Sequence, residues 1–235
     1  EEIPDSDVCS RYFCISENRI IKSIFKQNIK TGYEVEPNIT DSARDLNEHN
    51  QRYIAMKKKR RYSMLLAREL AWKLGKWKSN ELDAFLDDFK PDVILHSMEG
   101  YIHLNRIIQY AIKRTNAKAI GYIWDDNFTY KQHKNLGYKI YRFFQRRSLK
   151  KLVSLTKAFF AISPMTKKEA DEFFKINSIL LTKPLNTIPT VSKHEVNSPL
   201  KMLYTGNLLI GRDRSLEKVS KALDEINKII SEIEV

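Results

Sequence analysis

Residues 90–97, KPDVILHS, decide the fold class of this chain. The apolar run that follows the proline is typical of a short, buried β-strand. A helical pattern follows at about residues 102–114, and it leads to a second apolar strand at 117–126, AKAIGYIWDD. Strands that alternate with helices of this length predict βαβ units and a parallel sheet.

The same alternation continues toward the C-terminus. A basic helix is predicted at about residues 137–155, a strand at 157–163, a helix that opens at Pro164, and a fourth strand at 178–184. The inward-facing positions predicted for the basic helix are Tyr141, Phe144, Leu152 and Leu155. Right-handed crossovers between these strands predict an α/β fold with a Rossmann-like, doubly wound parallel sheet that is covered on both faces.

The N-terminal part of the chain predicts smaller elements. RYFCIS is typical of a strand, and residues 18–27 of a short helix. A longer helix is predicted within residues 57–78, where one apolar face is formed by Leu66, Leu70, Leu74 and Trp77. The next helix has Ser79 as its N-cap and ends before Pro91.

Composition changes at residues 184–200, which are rich in proline and lack periodicity. We read this segment as an interdomain linker between a Rossmann-like domain at 1–183 and the start of a second domain at 201–235. The second domain is predicted to open with the strand KMLYTG and a regular amphipathic helix. Because one strand and one helix cannot bury an apolar face, we expect this domain to be truncated.

The charge balance narrows the classes of partner. The 235-residue chain is 42% hydrophobic and carries a net charge of +12, which attracts nucleic acid, anionic membranes or phosphorylated small molecules. The N-terminal residues EEIPDSDVCS are unlike a secretory signal, so we expect a cytoplasmic location. Cys9 and Cys14 are then idle thiols, with a disulfide as the alternative.

The sequence lacks the motifs of several functional classes. The chain has neither a GxGxxG fingerprint nor a P-loop, so dinucleotide and NTPase functions have no support. We expect no metal site, because no ligand spacing relates the histidines to one another or to the cysteines. The histidines are His49, His96, His103, His133 and His194.

Four segments, taken in order, resemble GT-B glycosyltransferases close to family 4. They are KPDVILHS, AIGYIWDDNF, AFFAISPMTKKEADEF and KMLYTGNLLIGRDRSLEKVSKALDEIN, and together they extend over about residues 90–230. The resemblance implies a bacterial, hexosyltransferase-type enzyme of polysaccharide biosynthesis. Such an enzyme moves a sugar from a nucleoside diphosphate donor to a cell-envelope glycan or lipid-linked acceptor, with retention and without a metal or bound cofactor.

The chain also departs from that family. Residues 1–20 lack the usual first strand with its glycine-rich loop, and the late paired-glutamate motif of the donor domain does not occur. We therefore expect the first strand of the acceptor-side domain to be missing or degenerate. A fragment of this kind is expected to be inactive by itself.

The resemblance implies a donor site at the first turn of the second domain. Gly206 would let the backbone approach the diphosphate, and Arg212 or Arg214 would bind its phosphoryl oxygens. Asn207 stands directly after the glycine, where the family often has arginine. The alternative is an ordinary surface turn with solvated arginines.

An acceptor site is predicted at the carboxyl edge of the sheet, where parallel α/β folds bind ligands. Asp125 and Asp126 follow a strand there, and their carboxylates could bind sugar hydroxyls or orient the acceptor oxygen, so both are catalytic candidates. Ser97 and Glu99 follow the preceding strand and are candidates for acceptor binding. The alternative for these acids is a cap on the next element.

The helix at 57–78 suggests a membrane partner. It combines about nine cations with Trp72 and Trp77, which suits peripheral docking on the anionic inner face of the plasma membrane. The alternative is a solvated helix whose leucine face covers the sheet.

Two other function classes stay open. The first is a basic nucleic-acid-binding α/β module, supported by the net charge, KKKRR and the interleaved aromatic residues. Because the charges are spread over several helices, nucleic acid is not the expected partner. The second is a non-catalytic relative that only binds a glycan or a partner.

Overall fold

The structure is a computed structural model, and it describes residues 9–26, 28–35, 62–131, 135–182, 203–206 and 212–233. The chain divides into two units, Glu1–Pro184 and Leu185–Val235. The described elements of the first unit are β1 (Tyr12–Ile15), α1 (Glu17–Ser23), β2 (Gly32–Val35), α2 (Tyr62–Leu74), α3 (Asn80–Phe89), β3 (Val93–Ser97), α4 (Ile102–Thr115), β4 (Lys118–Ile123), α5 (Leu136–Val153), β5 (Ala158–Ala161), α6 (Pro164–Phe174) and β6 (Ile179–Leu180).

The predicted parallel sheet is confirmed. Strands β3, β4, β5 and β6 lie side by side in that order, and each neighbouring pair is parallel. Gly121 lies in register between His96 and Phe159. A Cβ atom there would lie 2.9 Å from Phe159 Cδ1 and 3.2 Å from His96 Cε1. This strand position is a glycine because aromatic rings from both neighbouring strands occupy the space beside it.

One face of this sheet forms the main core with α4, α5 and α6. The core residues are Met98, Ile112, Ala119, Ile123, Phe128, Leu149, Leu152, Phe159, Ala170 and Phe174. On the opposite face, the side chains of Val93, Leu95 and Ile179 are exposed among the described residues. The α/β class is therefore shown, and helical coverage of the second face stays a prediction.

A second cluster lies on the outer side of α4. It joins α1, α2, α3 and the antiparallel pair β1–β2, and its buried residues are Ile20, Trp72, Trp77, Leu82 and Leu86. Ile107 and Tyr110 of α4 pack against it. The described part of the first unit thus has three layers: the sheet, then α4 to α6, then the N-terminal elements.

The apolar face predicted for α2 is wrong at Leu70 and Leu74, which are exposed. The buried residues of this helix are Glu69 and Trp72. The Trp72 ring stacks on the ring of His103, with 4.3 Å between the centroids. The tryptophan buries more apolar area than a leucine, and this contact turns the helix away from the predicted face.

The predicted N-cap at Ser79 is confirmed, because Ser79 Oγ accepts a hydrogen bond of 3.2 Å from Leu82 N. Ser163, which was not predicted as a cap, has the same role in α6, where its Oγ accepts a hydrogen bond of 3.1 Å from Thr166 N. Pro164 occupies the first turn of α6. The described residues with left-handed backbone are Lys90, Asn116 and Lys175, which close α3, α4 and α6. Cys9 and Cys14 are both free thiols.

The predicted inward position of Phe144 in α5 is also wrong. The buried row of this helix is Tyr141, Gln145, Leu149 and Leu152, at spacings of four, four and three. Gln145, rather than Phe144, faces inward, because its amide donates a hydrogen bond to the Gly100 carbonyl oxygen. Phe144 is exposed, whereas Leu155 packs against the main core as expected.

The described residues of the second unit are 203–206 and the helix α7 (Arg212–Ile233). The predicted helix is confirmed, and Val219, Leu223 and Ile226 on its apolar side are exposed. Residues 203–206, the described part of KMLYTG, are not in a strand. The predicted linker at 184–200 lies outside the described residues. Over the described part of the chain, no helix is both long and apolar enough to cross a membrane.

Candidate functional site

The carboxyl ends of β3 and β4 meet at one edge of the sheet, because Ser97 is the register partner of Tyr122. The loop after β3 carries Glu99, and the loop after β4 carries Asp125 and Asp126. The structure therefore brings the four candidates for acceptor binding and catalysis to the same edge.

Glu99 is fixed by the end of β3. Ser97 Oγ donates a hydrogen bond of 2.5 Å to Glu99 Oε1, and the Glu99 backbone N–H donates to the Ser97 carbonyl oxygen at 3.1 Å. The Glu99 side chain is half-buried. Its second carboxylate oxygen makes no hydrogen bond within the described residues, so the carboxylate is oriented on one side and available on the other.

The loop at 98–101 is clamped by α5. The Gly100 carbonyl oxygen accepts a hydrogen bond of 2.8 Å from the Tyr141 hydroxyl and one of 2.7 Å from Gln145 Nε2. A Cβ atom at Gly100 would lie 2.8 Å from Asn127 Oδ1 and 3.1 Å from Gln145 Nε2. Glycine is required here because two polar side chains approach its backbone closely.

Two asparagines hold the same loop from other sides. Asn105 Nδ2 of α4 donates to the Glu99 carbonyl oxygen at 3.3 Å, and Asn127 Nδ2 donates to the Met98 carbonyl oxygen at 3.1 Å. Asn105 is fully buried, and its Oδ1 has no hydrogen-bond partner among the described residues. The position of Glu99 is thus set by α4, α5 and the loop after β4 together.

The two aspartates after β4 have different surroundings. Asp126 Oδ1 accepts hydrogen bonds from Thr129 N at 2.8 Å and Phe128 N at 3.2 Å, and its Oδ2 accepts from the Thr129 hydroxyl. Its carboxylate therefore closes the turn at 126–129. Asp125 is exposed, and its Oδ1 accepts only the Asp126 N–H, at 2.8 Å, among the hydrogen bonds of the described residues.

Phe128 anchors this second loop in the core. It is buried, and its ring lies 5.4 Å from the Phe173 ring and 5.1 Å from the Phe174 ring. The Tyr138 hydroxyl of α5 donates to the Thr129 carbonyl oxygen at 2.9 Å. Asp125 therefore projects from a loop that is fixed on both sides.

A buried ionic group lies behind the loop at 98–101. Glu69 Oε1 accepts hydrogen bonds from Ile102 N at 3.0 Å and from His103 Nδ1 at 2.8 Å, and Arg106 Nη2 lies 3.6 Å from Glu69 Oε2. Glu69 thereby provides a carboxylate for the first turn of α4 from a different helix. Carboxylates are favoured at this end of a helix because its N–H groups carry partial positive charge.

Two pKa shifts occur near the edge. Burial, with a further contribution from Glu69, raises the pKa of the Tyr141 hydroxyl far above its usual range. Tyr141 therefore stays protonated and donates to Gly100. Burial lowers the pKa of His96, whose Nδ1 and Nε2 lie 3.2 Å from the Ser97 carbonyl oxygen and 3.0 Å from Thr156 Oγ1.

The residues that support the loop were not found from the sequence. Apart from Asn127, which adjoins the predicted aspartates, they lie within helices: two in the helix that follows the loop, and the others far from the loop in the chain. They are Glu69, His103, Asn105, Tyr141 and Gln145. No spacing in the sequence relates these positions, so only the fold brings them together.

The predicted donor-site residues belong to the second unit. Gly206 lies beside Tyr204, whose hydroxyl oxygen would be 2.8 Å from an added Cβ. Arg212 is the first residue of α7, Arg214 lies in its first turn, and both are exposed. Asn207 lies outside the described residues.

The structure also bears on the membrane surface predicted at residues 57–78. Trp72 and Trp77 are both buried in the N-terminal cluster. These two residues, which the prediction places in the bilayer interface, are therefore part of the protein interior. Residues 57–61 lie outside the described part of the chain.

In the described segments of the chain, no group of three or more histidine, cysteine, aspartate or glutamate side chains has the geometry to hold a metal ion. Compared with models of protein families, with curated proteins and with solved structures, the chain shows no match.

Proposed function

We propose that the first unit is the acceptor-side domain of a glycosyltransferase. In this proposal the sheet edge that carries Glu99 and Asp125 binds a hydroxyl group of a glycan or lipid-linked acceptor. The acceptor oxygen then bonds to the anomeric carbon of a nucleoside diphosphate-sugar as the bond to the diphosphate oxygen breaks, and the proton of the acceptor hydroxyl passes to the departing diphosphate. The order of the four family-like segments, on β3, β4, β5–α6 and α7, is the support from the sequence.

The observation that carries the proposal is the setting of Glu99. One of its oxygens is held by Ser97, and its backbone is held by Asn105. A carboxylate with one oriented, available oxygen accepts hydrogen bonds from sugar hydroxyls. The loop is held by hydrogen bonds from α4, α5 and the loop after β4, and a preorganised polar group loses little entropy when the acceptor binds.

In this proposal the two aspartates have different roles. Asp125 contacts the acceptor, because its side chain is exposed at the same edge as Glu99. Asp126 stabilises the turn, because its carboxylate accepts hydrogen bonds from the backbone N–H groups of Phe128 and Thr129. Ser97 acts by orienting Glu99.

The donor is proposed to bind at the second unit. Gly206 would let the backbone approach the diphosphate, and Arg212 and Arg214 would balance its charge without a metal ion. Retention of the anomeric configuration is part of the proposal on the ground of the resemblance alone. The same holds for a second Rossmann-like domain.

Sugar transfer by the full-length protein tests this proposal. Labelled uridine, guanosine and thymidine diphosphate-sugars would be incubated with a membrane extract as the source of acceptor. We expect Asp125→Asn to lower transfer by about a hundredfold with little change in melting temperature. Asp126→Asn, as the matched variant, should lower the melting temperature, because the amide has one acceptor oxygen whereas the carboxylate accepts hydrogen bonds at both of its oxygens.

Transfer that is equally fast in the Asp125→Asn variant and the wild type would remove Asp125 from the site. No transfer from any of these donors by the wild-type protein, with intact folding, would contradict the enzyme assignment itself. A glycan- or partner-binding role would then be favoured.

A further inference from the structure

The outer side of α5 has an exposed apolar surface over its first turns. Leu136 is 73% exposed, Ile140 42%, Phe143 56% and Phe144 49%. The spacings of four, three and one place these side chains on one side of the helix, opposite the buried row that contains Tyr141 and Leu149. Four large apolar side chains on one exposed helix surface are unusual for a side that faces only water.

The same helix is also cationic along its length. The sequence of α5 contains six lysines and arginines and no acidic residue. One of them, Arg142, is buried. The other five are Lys139, Arg146, Arg147, Lys150 and Lys151. None of these five forms an ion pair with a described acidic group, whereas Arg11, Arg68 and Arg114 elsewhere are paired with carboxylates.

A concavity joins the apolar and cationic parts. It has a volume of about 580 Å³, and its lining includes Tyr130, Phe143, Arg147 and Lys150. Arg146 also lines it and lies over the rings of Tyr130 and Phe173, at 4.5 Å and 4.2 Å from their centroids. Cations around such a hollow, with aromatic rings at its side, complement the negative charge of a phosphate head group.

We propose that the outer side of α5 docks on an anionic lipid bilayer. The apolar residues enter the boundary between head groups and acyl chains, and the cations contact lipid phosphates. Charge complementarity favours this occupant, because the helix is cationic throughout and its outward cations are not neutralised within the described residues. A nucleic acid would use the cations and aromatic rings but not the exposed Leu136 and Ile140.

Docking in this way would orient the candidate site. The inner side of α5 holds the Gly100 carbonyl through Tyr141 and Gln145, and the outer side would rest on lipid. The sheet edge with Glu99 would then be held close to the bilayer surface. The docking itself does not depend on the proposed transfer reaction.

Sedimentation of the full chain with vesicles tests the docking. Vesicles of phosphatidylcholine alone are compared with vesicles that also contain phosphatidylglycerol. We expect binding only to the anionic vesicles, weakened by salt. The double variant Arg147→Glu/Lys151→Glu should bind at least about tenfold more weakly, and so should Ile140→Gln/Phe143→Gln.

Matched control variants change the same properties elsewhere. Lys113→Glu/Lys118→Glu makes the same change in net charge at exposed positions, and Ile21→Gln/Phe25→Gln removes two other exposed apolar side chains. Both controls should bind like the wild type. Equal binding of the α5 variants and the wild type would overturn the proposal. A second result would also overturn it: the wild type does not bind vesicles but binds an oligonucleotide or forms a dimer, and the α5 variants do not. The surface would then bind nucleic acid or a second copy of the chain.

Discussion

The Tyr141 hydroxyl donates a hydrogen bond of 2.8 Å to the carbonyl oxygen of Gly100. This contact joins the middle of α5 to the loop after β3, so α5 is one of the elements that fix the candidate site. The same helix presents its other side, with Phe143 and Phe144, to the exterior.

Removal of the Tyr141 hydroxyl should loosen this connection. In Tyr141→Phe the Gly100 carbonyl keeps its hydrogen bond from Gln145, so we expect the free energy of unfolding to fall by only about 1 kcal/mol. The melting temperature should then fall by about 2–4 °C. Thermal unfolding checks this. Tyr130→Phe is the matched control, and an equal loss in that variant would contradict the assigned role of the hydroxyl.

Two substitutions in α5 test its orientation. Leu149 is fully buried in the main core, so Leu149→Ala should cost about 2–5 kcal/mol of unfolding free energy. Phe144→Ser should cost about 0.5 kcal/mol or less, because the ring is exposed. Denaturant titration measures both. If Phe144→Ser were as costly as Leu149→Ala, the helix would face the core with its other side.

The free energy of unfolding should depend on pH in a way that reflects the lowered pKa of His96. Burial lowers its pKa from the ordinary value of 6.5, so the unfolded chain binds more protons at this residue than the folded chain just below that pH. Stability from this group is therefore complete above about pH 6.5 and decreases as the pH falls toward the lower folded-state pKa.

Comparison with His96→Gln isolates that contribution. We expect the unfolding free energy of the wild type to fall more steeply than that of the variant between pH 6.5 and mildly acidic pH. Parallel curves for the two proteins would show that His96 does not titrate differently in the folded and unfolded chains.

The sheet and its helices could be predicted because their signals are local. The apolar strands after Pro91, the cap at Ser79 and the helix start at Pro164 depend on residues a few positions apart. The faces of α2 and α5 were partly mispredicted because they depend on distant partners. In α2, Trp72 stacks on His103 of another helix, and in α5, Gln145 donates a hydrogen bond to the carbonyl oxygen of Gly100.

The candidate site was predictable to the same extent. The rule that parallel sheets bind ligands at their carboxyl edge placed Glu99 and Asp125 at one edge. That rule could not separate Asp125 from Asp126, because the turn that occupies the Asp126 carboxylate is a feature of the folded loop. Nor could this rule find Glu69, because this residue lies in α2 and reaches the start of α4 only in the folded protein.

The central claim is that Glu99 binds the acceptor, and the partition between transfer and hydrolysis tests it most directly. Glycosyltransferases can pass the donor sugar to water, and this side reaction does not require an acceptor. In the full-length protein we expect Glu99→Gln to lower kcat/KM for the acceptor by about a hundredfold and to leave donor hydrolysis and melting temperature unchanged. If transfer and hydrolysis fell together, or if neither changed, Glu99 would not be an acceptor-binding residue.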